Sequence, residues 1–407
     1  MEKSKKIITT ASILRNILTL RYEPSIISDL PLLTWKDFQN KEKPSITFIE
    51  NEIKKSLEKN ISKSTKKISI ALSSGLDSNI ILAIMKKTFP EIKINAITVK
   101  FSDSIDESAK VSKIAEHFEI DHHIVNVENM LESLPETISY TKLPFWDTHW
   151  FYVSKKAQTI SKKIVSGNGG DELFGGYDFR YSKFLSLINE KSTPLERIRA
   201  YLECHNRDFI PKQDQVFGEK SNFSWDSIYK VLYPYFDNSL SPLNQVFLAD
   251  FNGKLSHNFT YVNKKINEKF NIKEIMPILS QNLIRYSLNL DTNFKYNYEN
   301  NLDKILLKKL SKKLGLGLLL KKEKQGFSVN TKNLWKNYGK DICSYFLLDS
   351  RASKDKWISQ EWIKKNIQRK DLDVRHINKF LGLLAVEIWY RLFVTNEISS
   401  REKINSF

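Results

Sequence analysis

The stretch from Ile68 to Ser78, ISIALSSGLDS, constrains the fold more than any other part of the chain. Its opening (Ile68, Ser69, Ile70, Ala71, Leu72) is apolar and β-branched, which predicts a short buried strand. The run then breaks into Ser73-Ser74-Gly75-Leu76-Asp77-Ser78, and a helical pattern, NIILAIMKK, starts at Asn79. Strand, tight loop and helix start in that order make an anion site. Unpaired N–H groups at a helix start point at whatever sits there, and the helix dipole favours negative charge. The serine hydroxyls add donors, and Asp77 offers a carboxylate to hold a divalent cation against phosphates. The lysine of a Walker A loop is missing, so this is not an ordinary P-loop. Taken alone, the serine-rich turn also fits a plain helix cap.

A second stretch, Ile164 to Tyr177 (IVSGNGGDELFGGY), repeats the plan: an apolar strand end, then a glycine-rich loop carrying Asp171 and Glu172. The first loop resembles the SGGxDS pyrophosphate loop of N-type ATP pyrophosphatases, with Ser74 where the first glycine is usual. The second resembles the SGxGxDELFGGY signature of asparagine synthetases. On these two loops, in family order, the chain is similar to the synthetase domain of that family. Further on, Lys322 to Phe327 (KEKQGF) resembles the family's basic-Gly-Phe motif, and EIWYRLF its last core helix. The likeness covers roughly residues 18 to 394 and is weak between Arg180 and Leu320.

The resemblance implies an α/β fold: a doubly wound parallel sheet of the PP-loop (adenine nucleotide alpha-hydrolase-like) type, followed by an all-α subdomain. The spacing of strands and helices points the same way, with ligands expected at the strand C-terminal ends. Strands are predicted at Ile94–Phe101, in HHIVNV (from His122) and at Lys163–Val165, and an amphipathic helix over Phe48–Ser64. His122 and His123, neighbours on a strand, point to opposite faces and suit no single metal. Ser104 to Glu107 reads as a capping box, and Asp147 as a helix N-cap with the substrate pocket as its alternative. Three segments are expected: a poorly periodic lead-in at 1–46, like the interdomain segment of asparagine synthetases; the ATP-binding core at 47–180; and a helical part at 181–407 that completes the synthetase domain. A lead-in that short cannot hold the family's glutaminase, and residue 2 is Glu2 rather than its nucleophilic cysteine, so no glutamine hydrolysis is expected.

Family chemistry is an AMP- and pyrophosphate-forming ligation: a carboxylate is adenylated by ATP with Mg²⁺, and ammonia or an amine then attacks. The implied roles fall on named residues. Ser73, Ser74, Gly75 and Ser78 give donors to the pyrophosphate. Asp77 and Asp171 hold Mg²⁺. Lys324 neutralises phosphate charge, with plain surface charge as its alternative. Ala71, Val99, Ser166 and Gly167 line up with positions that hold adenine and ribose through backbone groups. Glu172 orients the second loop, whose glycines (Gly169, Gly170, Gly175, Gly176) serve its turns. Two departures bear on the acceptor. Asn168 stands where asparagine synthetases carry Glu, and an amide orients and hydrogen-bonds but cannot act as a base. Ile275 to Ser280 (IMPILS) falls at a VRVPFLD-like motif whose Arg and Asp are lost. The ATP half looks intact and the acceptor half does not, so the product need not be asparagine; a specialised amide or lactam fits as well.

Composition limits the remaining classes. The net charge of +17 invites nucleic acid, and PP-loop enzymes acting on tRNA are one alternative; a non-catalytic ATP-binding homologue is another. The lysines are nonetheless spread over helical faces such as KKSLEKNISKSTKK, with no aromatic-interleaved basic cluster. Cys204 and Cys343 show no disulfide or zinc pattern. The longest apolar run, Phe380 to Val394, is short and interrupted by Glu387 and Arg391. A charged N-terminus without a signal peptide completes the expectation of a cytoplasmic enzyme whose carboxylate substrate is a small molecule or a peptide, with the amine free or supplied by a separate glutaminase.

Overall fold

The apolar runs pair side by side in the computed structural model, which describes residues 2–39, 41–62, 64–102, 104, 106–317, 319 and 329–404. Five strands, β1 (Lys67–Ala71), β2 (Lys93–Phe101), β3 (Asp121–Val127), β4 (Lys163–Val165) and β5 (Lys273–Ile275), form one sheet in the order β3-β2-β1-β4-β5. Every pairing is parallel; Ile70 lies opposite Ala96 on one side and Val165 on the other, and Val165 opposite Ile275. The chain winds outward from β1 through β2 to β3, then returns to lay β4 and β5 on the other side. The switch point therefore falls between the ends of β1 and β4.

Helices α1 (Glu2–Leu20), α2 (Ile46–Asn60), α3 (Leu76–Thr88), α4 (Ser108–His117), α5 (Leu134–Thr141), α6 (Trp150–Gln158) and α7 (Gly170–Phe174) precede and alternate with the first four strands. The two-residue period of a strand sorts the buried side chains onto two faces. Ile94 and Ala96 join the core formed with Ile49, Ile53 and Leu57 of α2 and Ile80, Ile81 and Ile84 of α3. Ile97, Val99 and Phe101 join the other, with Leu134 and Ile138 of α5 and Phe151 and Val153 of α6. The lysines of α2 (Lys54, Lys55, Lys59) lie on its exposed side. Among the described residues no helix is long and apolar enough to cross a membrane.

Several local expectations are corrected. The lead-in is not irregular: α1 is helical, and its Leu14 and Leu18 are buried in the core shared with the last helix, Val374–Phe393, where Gly382 makes room for Leu18. The part after Tyr177 is not wholly helical, because it supplies β5, a strand of three residues that is too short to show a period. Helix α3 starts at Leu76, before Asn79, which moves Asp77 and Ser78 out of the loop and into a first turn. The capping box does not form. Glu107 is the N-cap of α4 but its side chain turns away to the first loop, and Asp106 just before it accepts from Ser108 N–H at 2.9 Å. Asp147 caps nothing either; it pairs with Arg21 beyond the end of α1.

Candidate active site

The two loops meet at the switch point. Gly75 is the N-cap of α3, and the turn before it is held from within: Asn79 Nδ2 donates to the carbonyls of Ser73 (3.0 Å) and Gly75 (2.7 Å), and Thr98 Oγ1 to that of Leu72 (2.8 Å). Ser74 N–H donates to Glu107 Oε2 at 3.3 Å and Gly75 N–H to Ser73 Oγ at 3.2 Å, both long for N–H···O bonds. The second loop closes onto this turn through glycine. A Cβ at Gly167 would stand 2.9 Å from Ser78 N, and one at Gly170 would stand 2.3 Å from Asp77 Cγ. Gly169, with φ of +91°, sets the left-handed step into α7 that brings Gly170 there.

Asp77 in the first turn of α3 and Asp171 in that of α7 converge, among the described residues, on one cation. That cation is the ammonium of Lys304, 2.5 Å from Asp77 Oδ2 and 2.8 Å from Asp171 Oδ1 and almost wholly buried. Burial pulls its pKa down, but the two carboxylates outweigh this and hold it above the ordinary lysine value, so it is charged. Since one cation reaches both carboxylates, the pair fits a hard divalent ion that takes oxygen ligands. Among the described residues no group of three His, Cys, Asp or Glu side chains forms a fuller metal cage. Lys304 was missed in the sequence, where it sits unmarked in the run NLDKILLKK. Lys324, the basic residue expected beside the phosphates, lies outside the described residues.

The second loop also meets a half-buried carboxylate that the sequence reading missed. Glu274 of β5 accepts from Ser166 Oγ (2.6 Å) and Asn168 Nδ2 (2.9 Å) at Oε1, and from Asn267 Nδ2 (2.9 Å) at Oε2. Trp150 Nε1 and Ser154 Oγ both donate to the Asn267 carbonyl oxygen, fixing which way that amide faces. Burial pushes the Glu274 carboxyl up, while Ser166, Asn263, Asn267 and Asn168 pull it back by hydrogen bonding. Asn168 thus faces a neighbouring carboxylate, and the loss of Glu at its position leaves a carboxylate close by in Glu274.

The other expected residues sort by neighbourhood. Ala71 ends β1 and Val99 lies near the end of the adjacent β2, which places their backbone toward the C-terminal ends of these interior strands, where the first loop starts. Ser166 follows β4, and its N–H donates to the Ile275 carbonyl, so that donor belongs to the sheet. Glu172 faces inward and accepts from Tyr177 OH at 2.5 Å; burial and the charge of Asp171 push its carboxyl up. Asp147 lies with Arg21, Asp208 and Lys379 around a small separate cavity. His122 hydrogen-bonds Ser112 and Thr98, and His123 hydrogen-bonds Asn95, on different sides as their strand positions require.

A parallel, doubly wound sheet with a serine-rich and a glycine-rich loop at its switch point is the architecture of the PP-loop class of nucleotide-binding folds. Within it, the chain belongs to the asparagine synthase family, whose model matches residues 49–391. Individual relatives agree. The chain is 30% identical over 136 residues (30% of this chain, 26% of the relative) to putative glutamine-hydrolyzing asparagine synthetase 2 of Methanocaldococcus jannaschii. It is 28% identical over 194 residues (42% and 29%) to glutamine-hydrolyzing asparagine synthetase 1 of Bacillus subtilis, and 27% over 186 (39% and 32%) to asparagine synthetase B of Escherichia coli. It therefore spans about a quarter to a third of the length of these curated relatives. Among solved structures it resembles the U34-tRNA thiolase NcsA of Methanococcus maripaludis (TM-score 0.26, 13% identity, 60% of this chain and 77% of that one). It also resembles the NMN synthetase of Francisella tularensis (TM-score 0.26, 14% identity, 56% and 93%).

Proposed function

We propose that this chain is an ATP-dependent, AMP- and pyrophosphate-forming amide ligase. It adenylates a carboxylate and passes the acyl group to ammonia or an amine. The observation that carries the reading is the meeting of Asp77 and Asp171, from two loops at one switch point, on a single cation site beside a helix N-terminus.

In the first step a substrate carboxylate oxygen attacks the α-phosphorus, the α–β anhydride bond breaks and pyrophosphate leaves. Stabilising that leaving charge is the main task. Mg²⁺ held by Asp77 and Asp171 would supply part of the charge. The N–H groups of Ser74 and Gly75, now on long contacts, and the hydroxyls of Ser73 and Ser78 are placed to donate to phosphate oxygens, since hydrogen bonds to charged acceptors are the stronger ones. In the second step the amine nitrogen attacks the acyl carbon, the bond to AMP breaks and the nitrogen loses a proton. Glu274 is the carboxylate we assign to receive it, with Asn168 and Ser166 holding it in place. The departures at Asn168, Ile275 and Ser280 support a product other than asparagine, with the amine either free or delivered by a separate glutaminase.

Exchange of labelled pyrophosphate into ATP, run with a panel of carboxylic acids, tests the first step. Exchange that depends on one acid and vanishes in Asp171→Asn is expected. Exchange with no acid, or exchange unchanged in Asp171→Asn, would overturn the assignment.

A further inference from the structure

Lys304 and a divalent cation are rivals for the same two carboxylates. The ammonium lies 2.5 Å from Asp77 and 2.8 Å from Asp171, with a side chain 4% exposed. The surroundings leave no room beside it. A Cβ at Gly176 would stand 1.8 Å from Asp171 Oδ1 and 2.3 Å from Lys304 Cε, and one at Gly170 would touch every carboxylate atom of Asp77. The lysine is also anchored at its backbone. It sits in the left-handed region (φ +46°) at the N-cap of helix Ile305–Lys313, with its N–H directed to the Gly175 carbonyl at 3.4 Å.

Among the described residues, Lys304 cancels one of the two carboxylate charges while it is seated. A bare Mg²⁺ gives up its water reluctantly and wants six oxygens in near-octahedral array. Here it would meet two protein ligands with one of their charges cancelled and an ammonium on top of them. A polyphosphate changes each of these. Its oxygens accept the three ammonium protons, which frees the carboxylates, and they provide the metal's missing ligands and charge.

We infer that Lys304 is an interlock, resting on the metal assignment above: it keeps a divalent metal out of the Asp77–Asp171 pair until a polyphosphate arrives to take the ammonium. By linkage, metal and nucleotide then tighten each other's binding. The order of loading is thus built into the apo site, and the protein does not carry Mg²⁺ without nucleotide.

Mn²⁺ retained with the full chain in equilibrium dialysis, each ATP or pyrophosphate arm compared with a protein-free control because these polyphosphates chelate Mn²⁺ themselves, tests this without turnover. Wild-type protein is expected to leave Mn²⁺ free when it is added alone and to bind it once ATP or pyrophosphate is present. Lys304→Gln, one atom shorter but still a hydrogen-bond donor and without the charge, is expected to bind Mn²⁺ alone at least about tenfold more tightly than wild type. Lys304→Arg, still a cation, should exclude it. Wild-type binding of Mn²⁺ alone that Asp171→Asn abolishes would overturn the interlock, and this arm depends on no Lys304 variant folding. Lys304→Gln that binds Mn²⁺ only with ATP would overturn it too, while leaving the metal site standing. No Mn²⁺ binding to wild type even with ATP would sink the metal assignment itself.

Discussion

Gly170→Ala is the most direct probe of how the two loops fit. Gly170 opens α7 with an ordinary helical backbone, so alanine brings no conformational penalty of its own. The added Cβ would stand 2.3 Å from Asp77 Cγ, 2.4 Å from Oδ2 and 2.7 Å from Oδ1. Ordinary carbon contacts lie at about 3.5–4.0 Å, so the carboxylate must retreat by about 1 Å. It cannot retreat freely, because Lys304 holds it at 2.5 Å and α3 fixes its backbone. Overpacking of this kind costs about 1–3 kcal/mol of stability, and a 1 Å misplacement of a catalytic group costs about a hundredfold in rate. Urea unfolding reads the first quantity and pyrophosphate exchange the second. Gly317→Ala is the control, since among the described residues nothing lies within 4 Å of a Cβ there. Wild-type stability and exchange in Gly170→Ala would refute the close approach of the loops.

Three further perturbations follow from other contacts. Glu274→Gln should leave pyrophosphate exchange intact and slow amide formation by about 10²–10⁴-fold; equal loss in both steps would show that Glu274 only supports the loop. Glu387 is fully buried and accepts from Ser350 Oγ (2.6 Å), Arg391 Nε (2.7 Å) and the N–H groups of Arg351 (2.9 Å) and Ala352 (3.1 Å). Glu387→Ala strands that set and should cost about 3–5 kcal/mol, seen as a lower urea midpoint at unchanged slope. Asp208 titrates in acid: burial pushes its carboxyl up, but Lys254 and Arg21 outweigh this and hold it at about 2, below the ordinary 3.8. A depressed carboxylate stabilises fully above its unfolded value and loses that contribution as pH falls through the folded one. Asp208 should therefore contribute about 2 kcal/mol that disappears between about pH 4 and pH 2, and Asp208→Asn should flatten this part of the stability–pH curve.

The features legible in the amino-acid order were those with a local cause. An apolar run breaking into small residues makes a strand end and a loop wherever it lies, so β1, β4 and the serine-rich and glycine-rich loops could be read directly, and with them Asp77, Asp171 and the family. Packing decided the rest. α1 reads as irregular because its buried face is defined by elements far along the chain, the last helix and helix Trp225–Phe236 among them, and β5 reads as helix because three residues have no period. Glu107 looks like a capping residue until the first loop arrives beside it with a backbone donor. Asn168 looks like a lost catalytic group until Glu274, more than a hundred residues on, is placed against it. Lys304 lies 227 residues from Asp77, one lysine among many, and only the folded chain makes it different by burying it between two carboxylates from two loops. Sequence order carries propensity and pattern, which act over a few residues. Burial sets the strength of a charge, and only the tertiary structure decides what is buried beside what.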